Sequence, residues 1–535
     1  MKDLPGRNVF VFLLFALAVC IGTVAQAQNL NTIGVTLLQS VTTNLNGSGI
    51  RVAQPEAGYD QVTNWEVNPG GRPAGFITYI SAAGSTTSFP NSLSSESSHA
   101  DSVAGNFYGF TSGVATNIAH VDNYDANYFY DNIIFPPAPA NTNDLVVNQS
   151  FTFGNVSTNI PTPTNYLSVS DQQQIDTKYD NYAASHNTLF VSAVNNGGSV
   201  SPPGTSYNCV GVGDSDGNSS IGPTLDNGRA KPDIVAPGGE TSFSTPYVAG
   251  AAAVLIQAGL RGDGGSDTNS AADMRTVKAL LLNGAVKPAG WTNISPSPLD
   301  AHYGAGVLNV FNSYEQLAGG KQGYIASVSV ITNSPHLPTG AAGTVGGLSG
   351  WDFNTNMSSA TTDSVKHYYF NVTNGLNNAL FTAAATLVWN RHNNKTNINN
   401  LDLFLYDAIS SNLVACSTSL VDNVKHLWLP QLPQGRYDLQ VLKHGGTTVT
   451  TNETYALAWT FFSQSLNIAA TETNVTLAWP VFPAGFFVEA TADLTPAAVW
   501  TTNNLPVPVI ANGSNYIFLN ATNPAQFYQL SWPNL

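Results

Sequence analysis

Residues 231–256 constrain the chain more tightly than any other stretch. They read Lys-Pro-Asp-Ile-Val-Ala-Pro-Gly-Gly-Glu-Thr-Ser-Phe-Ser-Thr-Pro-Tyr-Val-Ala-Gly, followed by Ala-Ala-Ala-Val-Leu-Ile. Two glycines after a proline predict a tight turn, and the small and apolar residues beyond it predict a buried helix over 245–258. Pro246 lacks an N–H and is accepted in a first helical turn, where that donor has no partner in any case. The turn then carries the hydroxyl of Ser242 into the field of a helix N-terminus, where free N–H groups favour negative charge developing on a nearby oxygen. The competing reading is that Thr241 or Ser242 merely caps the helix, an ordinary role for such residues.

That helix sits in an alternating pattern. From about Asn29 to Gly320, apolar strand-like runs (50–53, 145–148, 188–194, 210–212) alternate with helical stretches (100–107, 245–258, 271–282, 307–317). This is the habit of an α/β domain with a mostly parallel sheet. After Gly320 the helical period disappears. Runs at 365–372, 381–389, 401–406, 424–429, 436–442 and 455–461 predict an antiparallel β-sandwich or jelly roll, with the Gly-, Pro- and Ser-rich stretch 333–350 as part of the linker into it. From about Ser465, short strands at 474–479 and 486–490 predict a small third β module. A chain of 535 residues is too long for one core of ordinary size, and the organisation expected is a leader 1–27 and domains 28–320, 321–464 and 465–535.

The leader follows from Lys2 and Arg7, an apolar run from Val9 to about Val24, and the small-residue pattern Ala25-Gln26-Ala27. It reads as a signal peptide cleaved near Ala27, since the run is short for a membrane span of roughly 20 residues. No later segment is expected to cross a bilayer, the nearest being 248–258, so the mature chain is expected outside the cytoplasm with no membrane span. A net charge of −15, with only 18 Lys and Arg, disfavours a phosphate-binding surface, and no nucleic-acid partner is expected. Cys20 leaves with the leader, and Cys209 and Cys416 fall in different expected domains, so a disulfide framework is not the stabilising device.

Four segments resemble the subtilisin family. Residues 231–250 resemble the nucleophile motif GTS-x-[AS]-[TS]-P-x-V-A-G and its approach, which implies Ser242 as nucleophile. Ser98-His-Ala-Asp-Ser-Val-Ala-Gly105 resembles HG-[TS]-x-V-A-G and implies His99 as general base, a residue that can take the serine proton near neutral pH and return it to the leaving amine. Leu189-Phe-Val-Ser-Ala-Val-Asn-Asn-Gly197 resembles V-x-A-A-G-N-x-G and implies Asn195 as oxyanion donor, with Asn196 the alternative if the register slips by one. Val146-Val-Asn-Gln-Ser150 resembles V-[IV]-N-x-S, whose backbone pairs with an extended substrate, and implies Ser150 as a substrate-binding residue. Together they imply a subtilisin-like three-layer α/β domain and an exported serine endopeptidase acting on extended protein or peptide substrates.

The acid departs from the family pattern. Subtilisins carry V-A-V-[IL]-D-[TS]-G where this chain has Val52-Ala-Gln-Pro-Glu-Ala-Gly58, so Glu56 takes the aspartate position, with Asp60 as the alternative acid. The same pair is superficially similar to the Glu-x-x-x-Asp of the sedolisins, a reading that would need it where His99 sits and an acid in place of Asn195. Ala100, Val194 and Glu240 stand where the family has glycines, and only about 20 residues separate Ala27 from Gly47, where many secreted relatives carry a folding prodomain. These departures keep open a second expectation, a catalytically impaired subtilisin-fold protein acting as a secreted or surface binding module. Residues 365–461 also resemble the jelly-roll domain of larger bacterial subtilisins, through Ala385-Thr-Leu-Val-Trp389, Asn399-Asn-Leu-Asp-Leu-Phe-Leu405, Val421-Asp-Asn-Val424 and Leu432-Pro-Gln-Gly-Arg-Tyr437. No cofactor is required by this chemistry. The resemblance implies calcium as an option, although Asp402, Asp407 and Asp422 read as turn and strand-end residues.

Overall fold

Eight short strands, several buried at every position, make the sheet: β1 (Arg51–Glu56), β2 (Ile77–Ser81), β3 (Gly84–Thr86), β4 (His120–Asp125), β5 (Val146–Gln149), β6 (Leu189–Ala193), β7 (Val210–Asp214) and β8 (Ile234–Ala236). Burial on both faces is what a parallel sheet covered by helices demands. The computed structural model, which describes residues 26–58, 64–163, 166–331, 336–375, 379–463, 465–495, 498–521 and 526–532, joins them in one sheet of order β8-β7-β6-β5-β1-β4-β2-β3. Every neighbouring pair is parallel except the edge hairpin β2–β3. The chain leaves β1 to one side for β2, β3 and β4 and to the other side for β5 to β8. In an open α/β sheet the crevice beyond the carboxyl ends at such a switch point is the place for a ligand.

Five helices matter to the site and its support: α1 (Ser98–Phe107), α2 (Val169–His186), α3 (Thr241–Arg261), α4 (Met274–Asn283) and α5 (Val310–Ala318). The expected helix at 245–258 is longer at both ends. At 21 residues α3 is long and apolar enough to cross a bilayer, contrary to the expectation for this segment, but most of it is buried inside the fold as a core helix. The polar helix α2 was not anticipated from the sequence. Its buried positions mix Ile175, Tyr179, Tyr182 and Ala183 with Asp176 and Asp180, which pair with Arg229 at 2.9 Å and Arg391 at 2.7 Å, so buried charge interrupts the apolar stripe that periodicity detects.

Beyond residue 320 the chain is antiparallel. Nine strands, β9 (Ala326–Ile331), β10 (Ser349–Met357), β11 (Thr362–Val372), β12 (Leu380–Trp389), β13 (Leu401–Asp407), β14 (Leu413–Ser417), β15 (Val424–Pro433), β16 (Gly435–Lys443) and β17 (Asn452–Phe462), make two sheets of order β9-β11-β16-β13-β14 and β10-β17-β12-β15. Phe370, Leu403 and Leu439 from one sheet and Leu387, Trp389 and Trp459 from the other share one core. The described part of the stretch read as linker, residues 336–350, lies along this sandwich instead. Thr339 N–H donates to the Tyr369 hydroxyl and Val345 N–H to the Tyr369 carbonyl, each at 2.7 Å, and β10 begins at Ser349. A further set of strands after residue 465 packs around Leu477, Trp479, Val488 and Ile517. The sandwich is welded to the α/β core: Trp351, Val388, Ala456 and Ala458 extend that core, and Thr386 Oγ1 donates to Asn283 Oδ1 on α4 at 2.9 Å. Residues 1–25 of the expected leader and the alternative acid Asp60 lie outside the described residues.

Candidate active site

Glu56 ends β1, and its side chain is buried. One carboxylate oxygen, Oε2, lies 3.1 Å from His99 Nδ1; the other, Oε1, accepts from Gln54 Nε2 at 2.8 Å. Gln54 is itself held at both ends, donating to the Ala100 carbonyl at 3.0 Å and accepting from the Tyr108 hydroxyl at 2.6 Å. A carboxylate one methylene longer than aspartate is therefore fixed on both oxygens and faces the imidazole nitrogen that an orienting acid must hold. His99 stands in the first turn of α1, whose N-terminus is capped by Ser97 accepting from Ala100 N–H. Burial opposes protonation of its ring, but the hydrogen bond and charge of Glu56, aided by the charge of Glu240, outweigh that and hold the imidazole above the ordinary histidine value.

Ser242 is the second residue of α3. The chain reaches it through Gly238 and Gly239, whose N–H groups both donate to Asp216 Oδ1, at 2.9 and 3.1 Å. The helix opens at Thr241, so Pro246 lies six residues in rather than at the first turn, and it is the missing donor that matters. Without an N–H at Pro246 the carbonyl of Ser242 has no partner one turn on; it accepts instead from Ser150 Oγ at 2.8 Å. The Ser242 hydroxyl in turn donates to the Ser150 carbonyl at 3.2 Å. Ser150 directly follows β5 and thus touches the nucleophile turn by both its backbone and its side chain. The ring of His99 lies 5.7 Å from that of Phe243, and no hydrogen bond joins His99 to Ser242 among the described residues.

The two candidate oxyanion asparagines face different ways. Asn195 has φ +105°, a left-handed conformation that glycine adopts freely and asparagine tolerates. The turn directs its amide away from Ser242, with Nδ2 donating to Asn155 Oδ1 at 2.9 Å, Ser201 Oγ at 3.3 Å and the Ser199 carbonyl at 3.4 Å. Asn196 faces the nucleophile turn instead. Its Oδ1 accepts from Thr241 N–H at 2.9 Å and Thr241 Oγ1 at 2.6 Å, and its Nδ2 lies 3.3 Å from Glu240 Oε2. Asn195 thus holds the left-handed turn, and Asn196 contacts Thr241 and Glu240 beside Ser242. The Asn-Asn doublet beside Val194 was the only signal of this in the sequence. Gln54 and Tyr108, which carried no motif, were also missed.

Asp402, Asp407 and Asp422 each have protein partners. Asp402 pairs with His444 Nε2 at 2.7 Å, Asp407 accepts two turn N–H groups, and Asp422 accepts from Ala230 N–H at 2.8 Å and Ser419 Oγ at 2.5 Å. Among the described residues no group of three or more His, Cys, Asp or Glu side chains is arranged to hold a metal ion. Cys209 is buried, and burial pushes its thiol up to about 11, the behaviour of a core residue rather than a nucleophile.

Comparison with known proteins gives one informative match. No curated protein matches the chain. Among solved structures, the prenylagaramide maturation protease PagA is 18% identical with a TM-score of 0.34, covering 54% of this chain and 99% of its own. The PatG macrocyclase in complex with peptide is 16% identical with a TM-score of 0.32, covering 54% and 96%, and tripeptidyl peptidase 2 is 12% identical with a TM-score of 0.27, covering 78% and 44%. The subtilase family model matches residues 79–306, a span that contains His99, Ser150, Asn195, Asn196 and Ser242 and begins after Glu56. The chain therefore carries a domain of the subtilase family, peptidase S8, over residues 79–306.

Proposed function

We propose that this protein is an exported serine endopeptidase that cleaves extended protein or peptide substrates with a Ser242–His99–Glu56 triad. The observation that carries this reading is the buried Glu56 carboxylate 3.1 Å from His99 Nδ1, on the helix beside the nucleophile turn. In this mechanism Ser242 Oγ leaves the Ser150 carbonyl and attacks the scissile carbonyl carbon, His99 Nε2 takes the hydroxyl proton, and Glu56 stabilises the imidazolium. The tetrahedral oxyanion takes two donors, the Ser242 N–H in the first turn of α3 and Asn196 Nδ2. His99 returns the proton to the leaving amine, and water completes hydrolysis of the acyl-enzyme by the reverse sequence. Export rests on the leader of residues 1–27.

One observation favours the second reading, a catalytically impaired binding module: the Ser242 hydroxyl donates to Ser150 rather than to His99. A fluorophosphonate probe separates the two. The mature protein is expected to label at Ser242 and Ser242→Ala is not; equal labelling of both would sink the peptidase reading.

A further inference from the structure

Glu240 stands where the family pattern has a glycine, immediately before Thr241 and Ser242. Its side chain is exposed, and although it occupies the N-cap of α3 it makes no side-chain capping bond. Its Oε2 lies 3.3 Å from Asn196 Nδ2, the side-chain donor assigned above to the oxyanion. No lysine or arginine forms an ion pair with Glu240 among the described residues, in a chain that has only 18 such residues in 535.

The arrangement sets a carboxylate and a developing oxyanion against one another. Both draw on Asn196 Nδ2, whose two hydrogens let one nitrogen serve both, so forming the tetrahedral intermediate either holds two negative charges within a few ångströms or expels the carboxylate from Asn196. Like charges that close slow a reaction roughly tenfold or more in a partly hydrated cleft. A positive charge on the substrate removes the conflict.

We propose that Glu240 is a specificity-determining residue that selects peptides carrying lysine or arginine next to the scissile bond. The cationic side chain pairs with the Glu240 carboxylate and neutralises the charge that stands beside the oxyanion held by Asn196 Nδ2. A neutral substrate leaves that charge uncompensated, and an acidic one adds a further repulsion. This inference rests on the peptidase reading above and names the substrate class of that same site.

The test uses the mature full chain and a matched peptide set with Lys, Gln or Glu at each of the two positions flanking one cleaved bond. At one of those positions the Lys peptide should show kcat/KM roughly tenfold above the Gln peptide, with the Glu peptide slowest. In Glu240→Gln the Lys-to-Gln ratio should fall to about twofold or less while the Gln peptide is cleaved faster, and Glu240→Lys should reverse the order. Cleavage without a Lys preference, or a preference that survives Glu240→Gln, overturns the proposal and leaves the peptidase reading intact. Absence of both fluorophosphonate labelling and cleavage of every peptide overturns the two together.

Discussion

Two of the chain's histidine–carboxylate pairs, one in each of two regions, look alike chemically. His99 Nδ1 meets Glu56 at 3.1 Å in the α/β domain, and His367 Nδ1 meets Asp438 at 2.7 Å between β11 and β16 of the sandwich. By distance alone the second is the better pair. Its side chains are 1% and 0% exposed, however, and the His367 ring stacks on Tyr369 at 6.0 Å with a 7° tilt, whereas the His99 side chain is 27% exposed and lies beside the nucleophile turn. A carboxylate-held imidazole becomes a candidate base only where its other edge reaches a hydroxyl and a substrate. Sealed in a core, the same pair serves packing.

The sharpest way to break this contrast is to remove the acid from each region. Glu56→Gln should leave the fold in place and lower kcat by about 10³- to 10⁴-fold, because the imidazole loses the partner that fixes its tautomer and stabilises its charge. A loss under about tenfold would move the triad acid elsewhere, with Asp60 the first alternative. Next in size, Asn196→Ala should cost about 10²- to 10³-fold in kcat, the magnitude measured for loss of such a donor in a subtilisin, while Asn195→Ala costs far less. The opposite ranking would restore the sequence expectation. In the sandwich, Asp438→Ala removes the acceptor of both His367 Nδ1 and Gln440 Nε2, the latter at 2.8 Å. It should lower stability by roughly 3 kcal/mol in a denaturant titration, with probe labelling of the folded protein unchanged.

The smallest expected effect is on pH dependence. The base works only when neutral, and the carboxylates of Glu56 and Glu240 favour its protonated form. The acid limb of kcat/KM should therefore rise through a midpoint above the ordinary histidine value, and Glu240→Gln should move that midpoint down. An unmoved midpoint would separate Glu240 from the electrostatics of His99.

Motifs that depend on neighbours in the chain were legible without the structure. The Gly-Gly turn, the buried helix after Ser242, the strands at 146–149 and 210–214 and the six sandwich strands follow from Gly and Pro punctuation and apolar periodicity. Elements held by distant polar partners were not. Helix α2 hides its aspartates against Arg229 and Arg391, and strands β9, β10 and β14 have too few buried apolar residues to stand out.

The sequence by itself determined that residues 79–306 form a subtilase domain with a serine at one helix start and a histidine at another, because those features are written in local backbone chemistry. The tertiary structure decided which asparagine faces the nucleophile, through a single positive φ at Asn195. It also decided what holds the longer acid, through Gln54 and Tyr108, and where the Ser242 carbonyl turns once Pro246 withholds its N–H. Side-chain direction and hydrogen-bond partners depend on backbone torsions and on groups tens of residues away, and no local pattern in the chain encodes either.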